Sequence, residues 1–85
     1  MKIDKIVHIK GKGHVICVRN FDEHVFNVGD KVILSSSEEI GLEKTMFIAQ
    51  ITAVERIGMT VPYYLGLIIH NPNNVNLSKY NELQY

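Results

Sequence analysis

Short runs of β-branched and aliphatic residues, each cut off within about a dozen positions by glycine, asparagine or aspartate, commit this chain to a β-protein. Apolar residues at helical spacing are nearly absent. The first run, Lys5-Ile6-Val7-His8-Ile9, meets Gly11-Lys12-Gly13, where two glycines permit positive φ and a tight reversal into His14-Val15-Ile16-Cys17-Val18-Arg19. A polar cluster at Asn20-Phe21-Asp22-Glu23 follows, and then Val25 to Leu34, read as two extended pieces about a Gly29-Asp30 turn. Ser35 to Gly41 is the most loop-like stretch and is read as a connection within one domain.

The longest strand candidate runs from Thr45 to Arg56, with Phe47, Ala49, Ile51 and Ala53 expected on the core side and Gln50, Thr52 and Arg56 opposite. Gly58 interrupts it. Pro62 then holds Val61 extended before a last buried strand, Tyr63 to Ile69, in which Gly66 marks a bulge or a close backbone approach. Asn71-Pro72-Asn73-Asn74 stops that strand. The remainder is read as a tail with a helical turn over Leu77 to Leu83, Ser78 being the candidate cap.

With 85 residues there is room for one core, so the expected organisation is a single barrel domain over 1–70 and a tail over 71–85 that packs on the barrel or leaves it. Nine basic residues balance nine acidic ones. Residues 1–34 hold six basic and four acidic side chains and 35–85 hold three and five, too small an asymmetry to name a partner. This balance argues against an obligate nucleic-acid binder. Cys17 is the single cysteine, which excludes an internal disulfide and a thiol-rich zinc site and fits a reducing cytoplasm, the expected location. The longest apolar run, Tyr63 to Ile69, is far too short to span a bilayer as a helix, so no membrane role is expected.

Two segments, Ile9-Lys10-Gly11-Lys12-Gly13-His14-Val15 and Val25-Phe26-Asn27-Val28-Gly29-Asp30-Lys31-Val32, resemble in order and spacing the opening of domain two of elongation factor Tu and related translation GTPases. Downstream, Ile51-Thr52-Ala53-Val54-Glu55 is similar to that family's fourth-strand region and Leu65-Gly66-Leu67-Ile68-Ile69 to its closing strand, so that roughly residues 5 to 70 are covered. The resemblance implies a small six-stranded closed barrel, standing here without a GTPase domain, with a short C-terminal tail or helical turn. Departures are Cys17-Val18, where the family has a threonine-glycine pair, and Val61-Pro62-Tyr63 in place of an acidic-glycine approach to the last strand. No G-x-x-x-x-G-K-[ST] loop is present, so the chain alone is expected to bind no nucleotide, and no cofactor is expected.

Few residues can be assembled into chemistry. Lys10, Lys12 and Arg19 are the candidate phosphate or RNA contact, pictured as a basic patch at one barrel end, although a solvated turn explains them as well. Met59, Tyr63, Tyr64, Tyr80 and Tyr85 are the candidate protein-contact surface, because aromatics and methionine are enriched at interfaces. Gly11, Gly13, Gly29 and Asp30 are structural turn residues. His8 and His14 flank the first turn with His24 further along, a conceivable metal site, but no carboxylate stands at ligand spacing and no metal is assigned. Cys17 and His14, three apart on a strand, fall on opposite faces and cannot act as a nucleophile–base pair. Asp22-Glu23 and Glu38-Glu39 are adjacent rather than convergent. The expected function is therefore a non-enzymatic barrel that binds another protein as an accessory or inhibitory factor. A ribosome- or RNA-contacting module is the alternative.

Overall fold

The computed structural model describes residues 1–20, 24–36, 46–57 and 63–85, with Asn20 and Tyr63 described at the backbone. The polar cluster at 21–23, most of the loop-like stretch, and Gly58, Met59, Val61 and Pro62 lie outside the described residues. The chain is all-β. Its strands are β1 (Ile3–Ile9), β2 (Gly13–Asn20), β3 (Lys31–Ser35), β4 (Met46–Ile57), β5 (Tyr63–Ile69) and β6 (Glu82–Gln84). They form one antiparallel sheet in the order β1-β2-β5-β4-β3-β6.

Local chemistry accounts for the turns. Gly11 and Gly13 take φ of 87° and 101°, and the Lys12 amide donates to the Ile9 carbonyl at 3.0 Å, closing the β1–β2 hairpin. Gly29, at φ 96°, allows the chain to reverse before β3, while the Asp30 carboxylate accepts from the Asn27 amide at 2.9 Å. That turn is tied to β4, since the Gly29 amide donates to the Ile51 carbonyl at 2.8 Å and the Ile51 amide to the Asp30 carbonyl at 2.9 Å. The piece before the turn is not a strand, contrary to expectation: Phe26 enters the core, but Val25 stays 72% exposed.

The concave face of the sheet carries the core. Ile16, Val18, Val32, Leu34, Ala49, Ile51, Leu65, Leu67 and Ile69 are buried there. Along β4 the expected alternation holds through Ile51 and then fails. Ile51 pairs with Ile69 and Ala53 with Ile68, so the register slips by one residue at a bulge around Thr52, whose hydroxyl donates to the Ile68 carbonyl at 3.1 Å. The slip turns Ala53 outward and packs Val54 against the core, opposite Leu67. Arg56, expected on the outer side, now shares the register phase of Val54 at the exposed end of the strand.

Two further expectations are corrected. Leu77 to Leu83 is not a helical turn: the Tyr80 amide reaches the Leu77 carbonyl at 3.1 Å, and the chain then extends into β6, which pairs with β3. Leu77, Tyr80 and Leu83 all join the core, whose side of β3 would otherwise lie bare. Nor is the barrel closed. The sheet curls into an open half-barrel whose outer strands meet at one end only, through the Lys2–Glu82 bridge and hydrogen bonds that tie Met1 to Leu83 (2.8 and 2.9 Å) and Ile3 to Asn81 (2.9 Å). A three-residue β6 is too short to pair along a seven-residue β1. Beside Ile6 to His8, residues 74–78 stand where a paired strand would be needed.

Candidate functional site

Nothing in the described residues brings the expected basic patch together. Lys10 and Lys12 sit at the hairpin turn, and Arg19 lies near the far end of β2, about 20 Å away at the usual rise per residue. Lys12 reaches across β5 to the Glu55 carboxylate at 2.8 Å, which neutralises it locally. Arg19 stands directly opposite Tyr64, donates to its hydroxyl, and holds its guanidinium carbon 4.9 Å from the ring centre. That hydrogen bond pushes the guanidinium pKa still higher.

The expected aromatic surface is likewise dispersed. Tyr80 is only 7% exposed and belongs to the core, so it offers no ring to a partner, and Met59 lies outside the described residues. Tyr64 is half-buried beside Arg19, and the backbone of Tyr63 opens β5. Tyr85 is exposed, with its ring stacked on His24 at 3.7 Å and set edge-on to Phe26 at 5.4 Å. Cys17 sits half-buried on the outer phase of β2, opposite Gly66, and burial pushes its thiol pKa up, with Asp4 adding to the shift and Lys5 opposing it.

Two features stand out among the described residues, the second of them the histidine pair that flanks the first turn. On the outer face of β3 and β4, Ile33 stands opposite Ile48, with Met46 next along the strand, and Ile48 and Met46 are 66% and 62% exposed. Lys31 and Gln50 flank this apolar centre at one end, and Ser35 and Glu82 at the other. The signal was present in the sequence: Val32-Ile33-Leu34 and Met46-Phe47-Ile48-Ala49 are apolar at consecutive positions, whereas a strand with one solvated face alternates.

The second feature lies on the concave face at the hairpin end. His8 and His14 are register partners with ring centres 4.8 Å apart. They border a cleft of about 210 Å³ whose other walls are Ile6, Val7 and the stretch Asn74 to Ser78. Asn71 shapes this wall by bonding both backbone groups of Val75, at 3.0 and 3.1 Å, and its amide nitrogen lies 3.5 Å from Nδ1 of His14. His24 is engaged elsewhere, and among the described residues no group of three or more histidine, cysteine or acidic side chains converges. No helix among the described residues is long and apolar enough to cross a membrane. No protein family, curated protein or solved structure matches the chain.

Proposed function

We propose that this chain is a non-enzymatic, barrel-like interaction module that binds another protein through the outer face of β3 and β4. The observation that carries the reading is the pair of exposed side chains Ile48 and Met46 beside half-buried Ile33, an apolar centre on a sheet face bounded by Lys31, Gln50, Ser35 and Glu82. An apolar core inside a polar rim is the anatomy of a protein interface, and methionine adapts well to a partner's contours. The zero net charge favours a protein over a polyanion as occupant.

The ribosome- or RNA-contacting alternative rests on resemblance to the translation-factor barrel and on Lys10, Lys12 and Arg19. Its support is weaker, because Lys12 is paired with Glu55 and Arg19 stands about 20 Å off along β2. The test compares the tagged chain with its Ile48→Glu variant in a native lysate, with and without RNase. A protein partner retained after RNase and lost from the variant is the expected result. Ile48 is exposed, so the variant loses only its cross-strand pair with Ile33 and some strand propensity, about 1 kcal/mol or less. A partner bound equally by both proteins would refute this face as the interface, and RNase-sensitive recovery of ribosomal components would favour the alternative.

A further inference from the structure

We propose that His8 and His14 form a two-histidine site for a divalent transition metal such as Zn²⁺ or Ni²⁺, placed at the mouth of the cleft beside β1. The inference is independent of the protein-binding face. It starts from the separation of the rings. An imidazole nitrogen binds zinc at about 2.1 Å, and two rings sharing one tetrahedral ion have their centres about 5 Å apart. The observed 4.8 Å matches that separation. The register pairing of His8 with His14 on adjacent antiparallel strands fixes both Cβ atoms, so only the side-chain torsions remain to be ordered on binding.

The surroundings suit the ion. His8 is exposed and His14 half-buried, so metal can enter from solvent, and the cleft provides room for the water molecules that must complete the coordination shell. Asn74, Asn76 and Ser78 line the same space with polar side chains able to hydrogen-bond those waters. His14 directs Nδ1 toward the Asn71 amide at 3.5 Å, which leaves Nε2 for the metal. Metal at Nε2 places the ring proton on Nδ1, facing the Asn71 amide donor, so binding requires the His14 ring to turn away from that long contact.

The direct test is calorimetric titration of Zn²⁺ and Ni²⁺ into the folded chain, in chelator-free buffer at pH 7.5 or so, because protons compete with metal for a ligand nitrogen. One saturable site per chain is expected, with Ni²⁺ bound and Mg²⁺ giving no heat, because imidazole selects the later transition metals. His8→Ala and His14→Ala should each weaken binding by about ten-fold or more, while His70→Ala leaves it unchanged. Imidazole ¹⁵N spectra of the unmodified chain supply a readout that needs no variant: zinc should shift the ring nitrogens of His8 and His14 together. Absence of saturable binding, an undiminished affinity in either single variant, or shifts confined to His24 or His70 would overturn the proposal.

Discussion

Leu83 offers the sharpest test of how the chain closes its core. It lies in β6, is 0% exposed, and sits opposite Leu34, another wholly buried side chain. Truncation to alanine removes three buried carbons and leaves a space between β3 and the first residues of the chain. Leucine-to-alanine changes at such sites cost about 2–5 kcal/mol, the spread reflecting how far the surroundings collapse. Its strand is bonded on both sides, to β3 and to Met1, which restricts collapse and places the expected loss near 3 kcal/mol. A domain of this length has about 4–13 kcal/mol in all, so the variant should melt at least 12 °C or so lower. Urea and thermal unfolding followed by circular dichroism measure this directly. Val25→Ala, at a side chain 72% exposed, is the control and should change stability by less than about 0.5 kcal/mol. If Leu83→Ala behaved like that control, residues 82–84 would not be an integral strand and the account of the core would be wrong.

Two other outcomes follow from particular contacts. A Cβ at Gly66 would lie 3.1 Å from the Cγ1 of Val15, so Gly66→Val should cost about 1–3 kcal/mol by overpacking and more than Gly66→Ala; equal unfolding midpoints for the two variants would contradict that crowding. Burial raises the Cys17 pKa, so the pH midpoint of its alkylation rate should lie above that of the urea-unfolded chain. The linked sign is a loss of stability as pH climbs from the unfolded midpoint toward the folded one, since the unfolded thiol releases its proton first; a native midpoint below the unfolded one would reverse the assignment.

The β1–β2 hairpin, the long strand and the buried strand around Leu65 to Ile69 were legible because each is a run of apolar, β-forming residues bounded by glycine or asparagine. Val25 to Val28 has the same composition but makes no strand: the turn at Gly29 is bonded to β4, and only Phe26 of the piece is buried. Leu77, Tyr80 and Leu83 have helix-compatible spacing, and the competition was decided by a vacant position beside β3 rather than by propensity. The candidate site fared similarly. Lys12 and Arg19 are seven residues apart in a strand-forming segment, which separates them along β2, whereas His8 and His14 are brought together by the hairpin register.

What the sequence determined by itself is local: the strand-forming runs, the turns that need glycine at positive φ, and the absence of an internal disulfide in a chain with one cysteine. These depend on backbone sterics and composition, which act over a few residues. Tertiary structure alone decided the bulge at Thr52 that turns Val54 inward, the recruitment of Glu82 to Gln84 as a strand, and the seam left open beside β1. Each of those depends on which strands become neighbours, and that choice minimises exposed apolar surface over the whole chain rather than within any one segment of it.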